Sequence, residues 1–224
     1  MAPVTVDVWS EIHCPWALIA IHRLRKARAR HDLDVVFVPR AWPLEWVNGR
    51  GTPRAIVTIE TAALAGHEPE LFNAYRNDSW PSTFLPAFEL VAAARRLHGI
   101  RAAEDVDYAL RLAFFRDGID VSIEAGLREA LGAAAAANPE IDKVAALDVW
   151  RHSNPRDDVA KDFAESETLP IEGSPQIFWS DGSTTHNPGM SDHYWTGELV
   201  RIGPTQPDEP ERLLLERWGD PTAG

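Results

Sequence analysis

Trp9-Ser10-Glu11-Ile12-His13-Cys14-Pro15-Trp16-Ala17 is the stretch on which the fold turns, because the period of the hydrophobic pattern changes inside it. Before it, Val4 to Trp9 is a β-branched, apolar run of strand length. After it, Leu18, Ile21, Leu24 and Ala27 recur at helical spacing within a segment that ends at Arg30. Pro15 falls where a helix tolerates proline best, at its first position. Arg23, Arg25, Lys26, Arg28 and Arg30 crowd the far end, where positive charge complements the helix dipole. Cys14, the one cysteine of the chain, is then the N-cap. A sulfur there faces unpaired backbone N–H groups at the positive end of the dipole, which predicts a thiolate favoured below the free value of about 8.5. His13, when charged, would add to that effect.

The run Val6 to Ala17, V-D-V-W-S-E-I-H-C-P-W-A, resembles the opening of the DsbA-like branch of the thioredoxin superfamily, especially its cytoplasmic FrnE-like group, whose members place C-P-W-C after a strand and a W-S-D-like segment. Ile171-Glu172-Gly173-Ser174-Pro175-Gln176-Ile177-Phe178 resembles the family's G-x-P strand, in which the proline is cis and packs against the active-site cysteine. Leu110 to Ser122, with Phe114-Phe115 and Asp117-Gly118-Ile119-Asp120-Val121-Ser122, resembles the helix and G-x-D-I-S turn of its helical insertion, and Glu209 to Trp218 matches its last helix. The resemblance implies an α/β protein with a thioredoxin-like fold. Residues 1–48 and 168–224 would form the thioredoxin-like domain, and 49–167 an all-helical domain inserted between the two halves of the sheet. It implies thiol-disulfide oxidoreductase chemistry as well.

Ala17 stands where the family's second cysteine belongs. A dithiol enzyme resolves its mixed disulfide with its own second sulfur, and with Cys14 alone that resolution needs an external thiol. The resemblance therefore implies a single catalytic thiolate at Cys14, assisted by His13, working with glutathione or mycothiol as co-substrate on a small thiol or a thiol-containing peptide or protein. Candidate substrate contacts are Ser10, Pro15 and Trp16 beside the thiol, and Ser174 and Pro175 opposite it. Ser191 and Asp192 are candidates too, in Asn187-Pro188-Gly189-Met190-Ser191-Asp192-His193, where an Asn-Pro-Gly turn and helix cap is an equally good account. Two other readings stay open: a ligand- or peptide-binding protein that kept the fold without turnover, and a kappa-class-like glutathione transferase or isomerase. Members of that class share the fold but use a serine near the Cys14 position.

The rest of the chain agrees with this frame. Two hundred and twenty-four residues at 45% hydrophobic content can bury a sizeable core, and a formal charge of −12 argues against nucleic acid and anionic membrane surfaces as partners. No apolar run reaches spanning length and the N-terminus lacks the build of a secretory signal, so a cytoplasmic location is expected. One cysteine excludes an internal disulfide. Composition leaves a homodimer open. His22, His31, His67, His98, His152, His186 and His193 show no pairing with carboxylates at metal-ligand spacing, and no metal is expected. Leu33 to Pro39 is dense enough in apolar residues for a central strand. Helices are expected from Thr52-Pro53 to about Ala65, over Pro69–Asn77, Thr83–His98 with a stop at Gly99, Glu104–Arg116, Ile123–Ala136, Pro139–His152 and Pro155–Glu165. Gln176–Trp179 and Thr184–His186, joined by Asp181-Gly182, form a hairpin. Trp42, Trp46, Trp80, Trp179 and Trp195 lie outside the helix cores and hint at an aromatic-lined cleft between sheet and helices.

Overall fold

The change of period at Cys14 is a change of element. Val4–Ser10 is strand β1 and Pro15–Arg30 is helix α1, with Cys14 as its N-cap and Pro15 in its first turn. These positions come from a computed structural model of the protein, which describes residues 3–72, 80–190 and 193–218. The remaining elements are β2 (Val35–Ala41), α2 (Leu44–Val47), α3 (Arg54–Leu64), α4 (Pro69–Phe72), α5 (Leu85–Phe115), α6 (Glu124–Ala137), α7 (Lys143–His152), α8 (Arg156–Ser166), β3 (Gln176–Phe178), β4 (Thr184–His186), β5 (His193–Thr196), β6 (Leu199–Ile202) and α9 (Glu209–Trp218).

The main sheet runs β2-β1-β3-β4, with β1 parallel to β2 and antiparallel to β3, and β3 antiparallel to β4. Two strands of this sheet precede the helical block α3 to α8 in sequence and two follow it. The expectation of a central strand at Leu33–Pro39 needs correction, because β2 lies at the sheet edge. Its apolar density reflects cover by α5 and α8, which pack on it. Its free backbone groups are not left open. The Val35 carbonyl accepts from Arg28 (3.0 Å), the Phe37 N–H donates to Glu104 (3.0 Å), and the Ala41 N–H donates to Asp162 (3.0 Å). Pro39 falls in the same outward-facing register, so its missing N–H forfeits no ladder bond, and side chains close an edge that would otherwise invite pairing.

Helix α5 carries one interruption. Gly99 sits at φ 83°, ψ −172°, a conformation open to glycine, so the stop expected there is a kink between two helices that continue end to end. A small apolar core joins β1, β2 and β3 to α1 and α9 through Val6, Val8, Leu24, Phe37, Ile177 and Leu214. A larger core fills the helical block and reaches into the thioredoxin half through Ile12, Cys14, Trp16, Leu18 and Ile19. After β4 the chain forms the two-stranded β5–β6 hairpin, an element the sequence reading did not anticipate. Ser191 and Asp192 lie outside the described residues.

Candidate active site

The loop between β1 and α1 is held from three sides. Arg111 of α5, fully buried, donates to the Glu11 carbonyl (2.7 Å), the Ile12 carbonyl (3.4 Å) and Ser10 Oγ (2.8 Å), and its charge is met by both oxygens of Asp107 (2.8 and 3.0 Å). The Glu11 carboxylate turns inward, accepts from the Leu44 N–H (2.8 Å) and sits 2.8 Å from His13 Nδ1. Burial works against its charge, but the His13 ring and the backbone N–H donors prevail and hold the Glu11 carboxyl below its ordinary value. From the third side, Ser174 Oγ accepts from the Glu11 N–H (2.9 Å).

Opposite Cys14 lies the Ser174–Pro175 peptide, which is cis. The thiol donates to the Ser174 carbonyl oxygen at 3.2 Å. Gly173 is needed just before it, because a Cβ there would come within 2.8 Å of the His186 ring. That ring is itself fixed by Nδ1 lying 3.1 Å from the Pro175 carbonyl.

The electrostatics depart from the expectation of a low-pKa thiolate. Burial, and after it the charge of Glu60, push the Cys14 thiol up to about 12, while Ser174, the Ala17 amide and Arg111 pull the other way and lose. The N-cap position is as expected, but only 6% of the residue is exposed, so the resting group is a thiol.

Cys14 borders a cavity of about 940 Å³ between the helix N-terminus, the segment 42–60 and the cis-proline loop. His13, Pro15, Trp16 and Ser174 line it with Cys14, so five of the expected site residues meet at one place. Pro175 is buried and is not among the residues that line the cavity. Ser10 is a correction: its hydroxyl is bound to Arg111 and it does not line the cavity. His13 is buried against Phe84, the rings 3.9 Å apart and stacked. The aromatic cleft is smaller than expected. Of the five tryptophans named for it only Trp42 lines the cavity, joined by Trp16, whose ring stacks on His193 at 4.2 Å. Trp80 packs against His13, Phe84 and Phe114, Trp46 against Phe163, and Trp179 against Trp218, while Trp195 is exposed on β5.

Sequence reasoning missed Arg111 and Glu60. Each carries a faint signal, a charge at an apolar position of an amphipathic helix: Glu60 shares a face with the buried Val57, Thr61 and Leu64. The structure also gathers His22, Glu68 and Glu70, whose donor atoms lie within 4.8 Å of one another, from positions too distant in sequence to read as a motif. They are occupied: Glu68 by Arg23 (2.6 Å), His22 Nδ1 by the Tyr108 hydroxyl (2.6 Å) and Glu70 by Lys26 (3.7 Å).

A thiol capping a helix, a cis-proline opposite it and a helical block between the halves of a four-stranded sheet define a thioredoxin-fold protein of the DsbA type. Residues 5–193 match the family model of the DSBA-like thioredoxin domain, and the chain belongs to that thiol-disulfide oxidoreductase family. No curated protein matches it in sequence. Among solved structures it is similar to a probable DsbA oxidoreductase from Streptomyces coelicolor, with a TM-score of 0.62 and 21% identity over 99% of this chain and 92% of that one. It is also similar to the cytosolic disulfide reductase DsbM from Pseudomonas aeruginosa with GSH, with a TM-score of 0.58 and 16% identity over 96% and 98%. At these identities the likeness establishes the fold.

Proposed function

We propose that the protein is a one-thiol oxidoreductase that exchanges or reduces mixed disulfides at Cys14 and is regenerated by an external low-molecular-weight thiol, glutathione or mycothiol. The observation that carries this reading is the pairing of Cys14 Sγ with the Ser174 carbonyl, 3.2 Å away, at the wall of the 940 Å³ cavity. In the first step the Cys14 sulfur, having lost its proton, attacks one sulfur of the substrate disulfide. The old S–S bond breaks and the leaving sulfur takes up a proton. In the second step an external thiolate attacks the mixed disulfide and Cys14 leaves, because no second cysteine exists in the chain. The DsbM structure, solved with GSH, supports a thiol of this kind as partner. A reducing, cytoplasmic setting fits the single cysteine, and among the described residues no helix is long and apolar enough to cross a membrane.

His13 would act in this reading through the loop it anchors, and Trp16 as a flat wall for the bound thiol. The raised thiol favours one competing reading, a binding protein without turnover, because a thiol pushed up to about 12 is a poor nucleophile at neutral pH. Two measurements separate them. Exposure to oxidised glutathione should give one glutathionyl adduct by intact mass, absent in Cys14→Ser, and added reduced glutathione should remove it. Turnover of hydroxyethyl disulfide with glutathione should then be lost in the same variant. An adduct that forms without turnover selects the binding protein, and no adduct at all rejects the thiol chemistry.

A further inference from the structure

Glu60 does not belong where it is by hydrophobic patterning. It lies on α3 at the i+3 position from Val57 and four residues before Leu64, its carboxyl meets the Trp16 indole of α1, and it is one of the residues lining the cavity that Cys14 borders. Burial raises it above its ordinary value. The groups that act against that rise are the Trp16 indole and the His13 ring, and no lysine or arginine is among them. In turn its charge holds the Cys14 thiol up. Unpartnered polar atoms gather on the same cavity: His13 Nε2, Thr52 Oγ1 and His193 Nδ1 are buried and lack hydrogen bonds, and all three residues line it. The cavity thus borders a carboxylate that meets an indole and an imidazole but no lysine or arginine, beside residues whose buried polar atoms lack partners, and a ligand group carrying positive charge would answer that field.

We propose that Glu60 is a specificity-determining residue that selects disulfides carrying a cationic group, an ammonium or guanidinium, close to the reacting sulfur. The inference rests on the thiol chemistry proposed above and deepens it. A cation beside Glu60 offsets the cost of its burial, and it also cancels the field that disfavours the Cys14 thiolate. Binding of the right substrate thus prepares the nucleophile, whereas an anionic disulfide meets repulsion and leaves the thiol protonated. The other charged side chains bordering the cavity, Arg50 and Glu172, are exposed at its rim and oppose each other in sign, so Glu60 supplies the inner field.

Three methanethiosulfonates of one reactive group and different charge test this: the cationic trimethylammonioethyl, the neutral methyl and the anionic sulfonatoethyl reagent. Each joins its thioalkyl group to the Cys14 sulfur and releases methanesulfinate, and the thiol proton goes to solvent. Rates are divided by those measured with free β-mercaptoethanol to remove intrinsic differences. The intact protein should prefer the cationic reagent over the anionic one by about tenfold, the effect of one nearby charge on a thiol. Glu60→Gln should abolish the preference and quicken reaction with the neutral reagent. Asp148→Asn, on the exposed side of α7, removes the same formal charge away from the cavity and should leave the preference intact. Equal rates with all three reagents in the intact protein, or a preference that survives in Glu60→Gln, overturn the inference and leave the thiol chemistry standing. Failure of Cys14 to react with any of them overturns both.

Discussion

Cys14 is where two residue-level forces meet with opposite signs. The helix N-terminus favours a thiolate, but such dipole effects reach only about 2 kcal/mol in the best partly buried cases. A thiol pushed up to about 12 favours its protonated form by about 5 kcal/mol relative to a free thiol, so burial and the Glu60 carboxylate win. Sequence could place the sulfur on the dipole but could not see the depth to which Trp16, Ala17 and the helical block would bury it. Alkylation of the ligand-free protein by iodoacetamide should therefore accelerate with pH through about pH 10 without a plateau. The measurement is the rate of adduct formation at a series of pH values, and a plateau near pH 8 or below would show that a thiolate persists.

At the scale of elements, the loop before α1 owes its shape to a residue one hundred positions away. Arg111 donates to Ser10 at the end of β1 and to Glu11 and Ile12 in the loop, and is paired with Asp107 of its own helix. Removing one partner of a buried charge pair leaves the other uncompensated, at a cost of about 3–5 kcal/mol. Arg111→Ala should lower unfolding stability by about 3 kcal/mol or more in urea melts. Arg111→Leu combined with Asp107→Leu should recover part of that loss, because no buried charge is then left alone. A single substitution that costs under about 1 kcal/mol would mean the loop holds its own shape. The β2 edge shows the same division of labour. Alternation made Leu33 to Pro39 readable as a strand, yet its place at the edge follows from Arg28, Glu104 and Asp162 closing its outer side.

Across the whole molecule the helical block and the start of α1 share the larger of the two cores. The larger core contains Ile12, Cys14, Trp16, Leu18 and Ile19 together with Phe88, Leu110, Phe114 and Leu131. We propose that the inserted block runs over residues 49–167 as a continuous segment of sequence without being an independent folding unit. Urea unfolding followed by tryptophan fluorescence and by far-UV circular dichroism should give coincident single transitions. Separated transitions would show that the helical block keeps its own stability.

Sequence by itself determined the order of the main-sheet strands and the larger helices, the helix start at Cys14 and the absence of a second thiol, because these depend on period, proline placement and residue identity along the chain. The fold was legible through resemblance, because V-D-V-W-S-E-I-H-C-P-W and G-S-P stand in the order in which the DsbA-like family carries its counterparts. Tertiary structure alone decided that Ser10 faces Arg111 and not the cavity, that Trp42 and Trp16 are the tryptophans that line it, that β5 and β6 follow the main sheet, and that Glu60 stands inside with the thiol. Burial and charge at a site are sums over groups brought together from distant positions. Cys14 could be located by reading along the chain, but its protonation was set by what folding packed around it.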